Sequence, residues 1–278
     1  MRQILVPTDF SENSWNAIKY GVELLQDKCS IYLLHINAIP IYLGAGSSIT
    51  ASSSLLKQSV ALENKRCMEK LMARIKTLPS HKRHTFIPLI LTGYFVDGIK
   101  REVQDKNINL VLMGTKGASG LRQMAMGTNT GAVITKVKCP LLAIPQNASY
   151  RKLREVAFPT DFQIVYDIRV LEDLIKILTA TGASLRILYM SKNSERLSEE
   201  QQRNKDFLHD YLKEIEHSFH TLKGDRLETS IQCFIDSRDI DMVAMVAKNL
   251  NFIQRILFRP AVEEISYHTT IPFLVLHE

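Results

Sequence analysis

Short, almost purely apolar segments alternate along this chain with longer segments in which apolar residues recur every three or four positions. The short segments are typical of strands buried on both faces of a sheet, and the longer ones of amphipathic helices. In the first half we therefore predict strands at residues 4–6, 31–36, 86–91, 110–113 and Leu141–Ile144. In the second half the predicted strands are residues 156–158, 185–190, Met242–Val246 and Phe273–Leu276.

Helical periodicity occupies most of the sequence between these strands. The predicted helices cover residues 17–25, 55–75, 96–103 and 133–137, then 170–178, 196–216 and 227–235. Asp9 and Ser11 precede the first helix and are candidates for its N-terminal cap. Residues 38–54 are rich in Ala, Gly and Ser and predict a loop. Strands that alternate with helices predict an α/β fold, with a parallel sheet, right-handed crossovers and helices on both faces.

The chain carries an internal duplication. The sequence Pro-Thr-Asp-Phe occurs at residues 7–10 and again at 159–162, an offset of 152 positions. Ile-Asn-Leu-Val at 108–111 corresponds to Ile-Asp-Met-Val at 240–243, an offset of 132. The second copy is therefore about twenty residues shorter than the first, and the loss falls between its second and third strands.

The duplication divides the 278 residues into two predicted domains, 1–148 and 149–278, each long enough for its own core. The first domain has 18 Lys and Arg against 9 Asp and Glu, a net charge of +9, whereas 17 against 20 give the second −3. A basic domain suits a polyphosphate or nucleic acid, although solvated helix surfaces explain most of these charges. The chain has neither an aromatic-interleaved basic strand nor a recognition-helix pattern, so we expect no nucleic-acid partner.

Other features of the composition exclude further classes of protein. No apolar stretch approaches the length of a membrane span, and the chain enters its first strand at once. We therefore expect no membrane partner, no leader peptide and a cytoplasmic location. The histidines form no set with metal-ligand spacing, so we expect no metal site. Four cysteines without paired spacing are predicted to be buried or half-buried thiols: Cys29, Cys67, Cys139 and Cys233.

The most informative chemistry is the pattern Gly114-x2-Gly117-x9-Gly127-Thr128, which follows a buried strand and precedes an amphipathic segment. Glycine lets backbone N–H groups approach an anion, and a helix N-terminus adds unpaired donors and a favourable dipole. Open parallel sheets bind ligands beyond the carboxyl ends of their strands, and Asp9, Ile36 and this loop all follow strand ends. The pattern predicts a phosphate cradle and a bound nucleotide.

These motifs together resemble the universal stress protein family. The resemblance rests on Ile-Leu-Val-Pro-Thr-Asp-Phe-Ser, Leu-His-Ile, Leu-Val-Leu-Met-Gly-Thr-Lys-Gly and Cys-Pro-Leu-Leu-Ala-Ile-Pro, in the family's order and spacing. It covers the first half and, more faintly, the second, as in the family's tandem form. It implies two tandem, open, Rossmann-like parallel sheets of five strands. It also implies a pseudo-dimer that pairs through Leu141–Ile144 and Phe273–Leu276, with a further homodimer left open.

Some members of this family bind ATP, and the intact glycine motif distinguishes them. The resemblance implies that Asp9 contacts the adenosine and that Ile36 lines the adenine pocket. Met113 and Gly114 would lie against the ribose and phosphates. The other site residues would hold the phosphates of ATP, with Mg²⁺, through N–H and hydroxyl donors: Gly117, Gly127, Thr128, Asn129 and Thr130.

The second half departs from the motif, because the offset of 132 aligns its four positions with Val246, Asn249, Arg259 and Pro260. Proline removes a donor and larger side chains crowd the phosphate path, so we expect one nucleotide site per chain. No Walker motif, dinucleotide fingerprint, nucleophile elbow or Ser-Gly-Gly loop is present, and no catalytic residue is predicted. We expect an ATP-binding regulatory protein of the stress response rather than an enzyme. A non-nucleotide interaction module and a weak ATPase stay open as alternatives.

Overall fold

A computed structural model describes residues 1–38, 50–115, 128–163, 168–191, 196–223, 227–247 and 270–277. The strands in these ranges are β1 (Arg2–Pro7), β2 (Cys29–Asn37), β3 (Thr85–Thr92), β4 (Leu110–Gly114), β5 (Leu141–Ile144), β6 (Glu155–Thr160), β7 (Ser184–Ser191), β8 (His217–Lys223), β9 (Met242–Val246) and β10 (Phe273–Leu276). The helices are α1 (Glu12–Leu24), α2 (Thr50–Ile75), α3 (Phe95–Asp105), α4 (Thr128–Lys136), α5 (Ile168–Thr181), α6 (Glu199–Tyr211) and α7 (Leu227–Ser237), with a 3-10 helix at Pro79–Arg83.

All ten strands belong to one sheet, in the order β3-β2-β1-β4-β5-β10-β9-β6-β7-β8. Neighbouring strands within each half are parallel, whereas β5 and β10 are antiparallel, with Phe273 opposite Ala143 and Val275 opposite Leu141. The predicted parallel α/β architecture is confirmed. The two predicted sheets of five strands form one sheet of ten, because β5 and β10, the strands through which the resemblance implies pairing, are hydrogen-bonded to each other.

The backbone carries the duplication as clearly as the sequence. Phe10 and Phe162, which are 152 positions apart, have φ angles of 62° and 55°. Asn107 and Asp239, which are 132 positions apart, have φ angles of 48° and 49°. Non-glycine residues rarely adopt this left-handed conformation, so its recurrence at both offsets shows that the same turns were kept in both copies.

Two apolar cores lie on opposite faces of the sheet. One contains the buried residues of α1, α2, α5 and α6, and the other those of α3, α4 and α7. Alternate residues of the central strands enter the two cores: Leu110 and Leu112 of β4 face the first, whereas Val111 and Met113 face the second. Burial on both faces explains why the central strands are almost purely apolar.

Three sequence predictions differ from the structure. The predicted helix 196–216 ends at Tyr211, and the chain then forms β8, whose pairing with β7 begins at the bond from Leu185 N–H to Glu216 O, 2.8 Å. The predicted loop 38–54 is helical from Thr50, and its residues 39–49 lie outside the described part of the chain. Cys233 is exposed rather than buried, because it lies on the outer side of α7.

Hydrogen bonds from both halves hold the segment that connects them. The side-chain amide of Asn16 donates to the carbonyl oxygens of Pro145, Gln146 and Ala148, at 2.9–3.2 Å. The fully buried carboxylate of Asp241 accepts from the backbone N–H groups of Arg154, 2.7 Å, and Glu155, 3.1 Å. The segment is therefore bound by the first half at one end and by the second at the other. Within the described ranges, no helix has the length and apolarity needed to cross a bilayer.

Candidate functional site

The strand order creates a crevice at the carboxyl ends of β1 and β4. The chain leaves β1 for α1 on one face of the sheet, and α4, the helix that follows β4 in sequence, packs on the other face. The two connections diverge there, and open α/β sheets bind ligands at such a switch in strand order. Asp9 follows β1, Gly114 ends β4, and Ile36 lies beside them near the end of β2.

A tight turn of hydrogen bonds shapes the end of β1. The Thr8 hydroxyl accepts from Phe10 N–H, 3.1 Å, and lies 3.0 Å from the Ser14 hydroxyl. Asp9 is exposed, and its Oδ1 accepts from both the N–H and the hydroxyl of Ser11, at 3.1 and 2.5 Å. Ser11 in turn caps α1 by accepting from Ser14 N–H, 3.2 Å. Ser11 is therefore the N-terminal cap of α1, whereas Asp9 forms the turn that precedes it.

Aromatic packing holds this turn against β2. The Phe10 ring stacks on His35 with a centroid separation of 4.5 Å, and His35 Nδ1 lies 2.8 Å from Thr8 O. Ile36 is half-buried and packs on α3, because a Cβ at Gly98 would come within 2.6 Å of Ile36 Cδ1. The absence of a side chain at Gly98 thus leaves room for the residue that the family resemblance assigns to the adenine pocket.

The end of β4 is tied to the start of α4. The buried Thr130 hydroxyl donates to Gly114 O, 2.8 Å, and Asn129 beside it is exposed. Met113 is buried in the core that α4 helps to form. The hydroxyl hydrogen of Thr130 is therefore used inside the protein, whereas the first N–H groups of α4 have no partner within the helix. Gly117, Gly127 and the side chain of Thr128 lie outside the described residues.

Asn13 is a residue of the crevice that the sequence interpretation missed. A Cβ built on Gly114 would lie 2.5 Å from Asn13 Nδ2 and 3.1 Å from Asn13 O, so the first turn of α1 lies directly against Gly114. Asn13 is only 7% exposed, and neither of its side-chain polar atoms has a hydrogen-bond partner in the described part of the chain. The duplication held a signal, because offsets of 152 to 154 align Asn13 with residues 165–167, and none of these is an asparagine.

The first turn of α1 carries a carboxylate that is paired with an arginine. Both guanidinium Nη atoms of Arg74 donate to Glu12, at 2.6 and 2.8 Å, and these bonds lower the pKa of the Glu12 carboxyl. The Arg74 guanidinium also lies 4.1 Å from the centre of the Trp15 ring. The carboxylate of Glu12 therefore faces a fixed positive charge, which reduces its repulsion of an anion at the crevice.

In the second half, two side chains of α6 donate hydrogen bonds to the corresponding turn. Gln201 Nε2 donates to Asp161 O, 2.9 Å, and the buried Asn204 Nδ2 donates to Phe162 O, 2.7 Å. Val246, the counterpart of Gly114, is buried. Asn249, Arg259 and Pro260 lie outside the described residues. In the described part of the chain, no group of three or more His, Cys, Asp or Glu could hold a metal ion.

Comparison with known proteins identifies the family of the first half and a similar fold for the whole chain. Residues 1–145 match the model of the universal stress protein family. Universal stress protein MJ0531 of Methanocaldococcus jannaschii is 26% identical over 146 residues, covering 51% of this chain and 81% of its own length. Universal stress protein MJ0577 of the same organism is 24% identical over 161 residues, covering 53% and 97%. A universal stress protein structure from Archaeoglobus fulgidus has the same fold, with a TM-score of 0.67 over 98% of this chain and 97% of that one, at 16% identity.

Proposed function

Because this chain belongs to the universal stress protein family, we propose that it is an ATP-binding regulatory protein of the stress response. One nucleotide site lies in the first half, at the crevice between β1 and β4. The observation that carries the proposal is the meeting of Asp9, Gly114 and the N-terminus of α4 at one switch in strand order. An open parallel sheet offers an anionic ligand its best combination of N–H donors and space at such a point.

The residues of the crevice fit an adenine nucleotide. Gly114 lets the first turn of α1 lie against the end of β4, and Ile36 offers a half-buried apolar surface to a base. Asp9 is exposed beside them as a hydrogen-bond acceptor for the adenosine. The N–H groups at the start of α4, the side chains of Thr128 and Asn129 in its first turn, and Gly127 before it would hold the phosphates. Bound ATP would favour one conformation or assembly of the chain, and Mg²⁺ would neutralise its phosphates.

ATP acts in this proposal as a ligand and not as a substrate. Hydrolysis requires a positioned water or base and charge stabilisation in addition to a phosphate cradle. The Asp9 carboxylate already accepts two hydrogen bonds from Ser11, which fix it as part of a turn. We therefore expect ATP turnover at the background rate. Turnover well above background that is lost in Asp9→Ala would assign the protein to the ATPases instead.

The test is calorimetric titration of the full chain with Mg-ATP. We expect one equivalent to bind and the melting temperature to rise, because a ligand at 100 times its Kd stabilises the folded state by about 2.7 kcal/mol. Gly127→Val should abolish binding and leave the fold intact, since Arg259 occupies the equivalent position of the second half. Gly93→Val is the matched control, because the space around that glycine is open.

Each of the other outcomes would contradict a different part of the proposal. Two equivalents per chain would contradict the loss of the second site. A folded wild-type protein that shows neither heat of binding nor a shift in melting temperature would refute the nucleotide site and leave an interaction module. Equal losses of binding in Gly127→Val and Gly93→Val would show that the effect is not specific to the glycine motif.

A further inference from the structure

We propose that the side-chain amide of Asn13 binds a ribose hydroxyl of the nucleotide. The inference rests on the proposed nucleotide site and adds to it a residue outside the family motif. Three observations carry it: the burial of an unpartnered amide, the way Gly114 accommodates that amide, and the joint replacement of both residues in the second half.

The Asn13 amide is a buried polar group at the carboxyl end of β4. The residue is 7% exposed, and neither Nδ2 nor Oδ1 has a hydrogen-bond partner in the part of the chain that the structure describes. A buried amide without partners costs roughly 1–3 kcal/mol in proteins. Its neighbours show the contrast, since Ser11 and Ser14 of the same turn are both hydrogen-bonded. An apolar side chain here would avoid that cost, so the amide is explained by a group that binds to it.

Gly114 provides the space that Asn13 occupies. Any side chain at this position would begin 2.5 Å from Asn13 Nδ2 and 2.9 Å from Asn13 Cγ, so it would displace the Asn13 amide. Thr130 holds Gly114 from the other side through its bond to Gly114 O. The absence of a Cβ at 114 therefore lets the amide lie against the carboxyl end of β4.

The second half has lost both members of this pair. The offset between the copies is 152 at Pro7 and 154 at Ser30, so Asn13 corresponds to Val165, Tyr166 or Asp167, and Val246 aligns with Gly114 at the offset of 132. None of the three candidates is an asparagine, and the half without this amide also lacks the remaining glycines. The loss of the amide together with the ligand motif supports a role for Asn13 in binding the ligand.

The chemistry of the unpartnered atoms selects the ligand group. Nδ2 is a donor and Oδ1 an acceptor, so the group that satisfies both must itself accept and donate. A hydroxyl does so, and so does the N6 and N7 edge of adenine, whereas a phosphate offers only acceptor oxygens and would leave Oδ1 without a donor. Asn13 lies against Gly114, which the family resemblance assigns to the ribose and phosphates rather than to the adenine. The ribose hydroxyls are therefore the part of the nucleotide that we assign to the Asn13 amide.

The experiment compares Asn13→Val with Asn204→Val in the full chain. Asn204 is an equally buried amide that has a partner, Phe162 O, so its loss should lower the melting temperature and leave ATP affinity unchanged. We expect the opposite from Asn13→Val: a melting temperature at or above that of the wild type, and ATP binding weakened at least about tenfold, since one hydrogen bond or more is lost. Wild-type affinity in Asn13→Val, or a melting temperature lowered as much as in Asn204→Val, would overturn the inference.

Deoxynucleotides test the ribose assignment. The wild type should bind 2′-deoxy-ATP or 3′-deoxy-ATP about tenfold more weakly than ATP, and Asn13→Val should bind that analogue no more weakly than ATP. Losses that simply add would show that the amide contacts another part of the nucleotide and would overturn the assignment. If the wild type binds no adenine nucleotide, the proposed function and this inference fail together, whereas unchanged affinity in Asn13→Val removes the inference alone.

Discussion

At the scale of single residues, the duplication separates two roles of Asp9. Asp9 Oδ1 accepts from Ser11 N–H at 3.1 Å, and Asp161 Oδ1 accepts from Gln163 N–H at 3.0 Å in the second half. Phe10 and Phe162 adopt the same left-handed conformation beside them. Because the second half lacks the glycine motif, the turn must account for part of the role of this aspartate in both halves.

Paired substitutions measure the two roles. Asp161→Ala should lower the free energy of unfolding by about 1 kcal/mol, the usual cost of losing a side-chain bond to a backbone N–H, and should leave ATP binding unchanged. Asp9→Ala should have a similar cost in stability and should in addition weaken ATP binding, because Asp9 is exposed at the crevice. Urea unfolding and calorimetric titration of both variants check this. An equal, small effect of the two substitutions on ATP binding would make Asp9 purely structural.

The sequence indicated which strand ends carry polar and small residues, but it could not indicate which of them are buried. Asp9, Ile36 and Gly114 follow apolar runs that the periodicity identifies directly. Asn13 instead occurs in the first turn of a helix after Ser-Glu, where an asparagine is ordinarily a solvated surface residue. Its burial depends on the approach of α1 to Gly114, which is a tertiary contact between residues 101 positions apart.

At the scale of elements, α4 is held against β4 by apolar packing and by a hydrogen bond from Thr130. The Thr130 hydroxyl reaches Gly114 O of the strand, whereas the Thr135 hydroxyl lies near Gly131 O and Ala132 O in the preceding turn of the same helix. Thr130→Val should therefore lower the free energy of unfolding by about 1–2 kcal/mol, since Gly114 O loses its donor. It should also weaken ATP binding, because the N–H groups of α4 would no longer be held at the crevice.

Thr135→Val is the control for this substitution, because it removes a hydroxyl from the same helix without separating two elements. We expect it to change stability by less than about 0.5 kcal/mol and ATP affinity not at all. Chemical denaturation followed by titration of both variants measures the two effects. If Thr130→Val bound ATP as tightly as Thr135→Val, the link between α4 and β4 would have no part in nucleotide binding.

The strands were predictable where both of their faces are buried, and less so at the edge of the sheet. The strands β1, β4, β5, β9 and β10 are apolar runs whose limits the periodicity gives within about two residues. β8 was missed because it is an edge strand with polar residues, and because Tyr211, Leu212 and Ile215 continue the apolar spacing of α6. The helix nevertheless ends at Tyr211, and residues 217–223 form hydrogen bonds with β7 instead of continuing it.

At the scale of the whole molecule, the two halves are joined by contacts of different kinds. The pairing of β5 with β10 makes one sheet, and the ion pair between Arg2 of β1 and Asp173 of α5, 2.6 Å, adds a partly buried link. The Asn16 amide binds the connecting segment from the first half. These links cross between the copies, so loss of the seam between β5 and β10 should affect the stability of both.

His277 is a titratable group whose charge would affect the pairing of β5 with β10. It follows β10 directly, and Lys138 of the first half acts on its pKa. Its Nε2 is buried and has no hydrogen-bond partner in the described part of the chain. Burial, and then the positive charge of Lys138 near the start of β5, lower the pKa of the His277 imidazole to about 4. The folded protein therefore holds this side chain neutral at neutral pH, and a proton on it would lie beside another positive charge at the seam.

The consequence is a specific loss of stability in acid. The pKa of His277 is lower in the folded chain than its ordinary value of about 6.5, so the unfolded chain binds the proton more readily. Its contribution is complete above about pH 6.5 and is lost as the pH falls through about 4, by at most about 3 kcal/mol. Because carboxylates titrate in the same range, the quantity to measure is the difference between wild type and His277→Gln in urea unfolding at several pH values. We expect His277→Gln to lose less stability than the wild type between pH 7 and 4, and parallel curves for the two proteins would show that His277 is not held neutral at the seam.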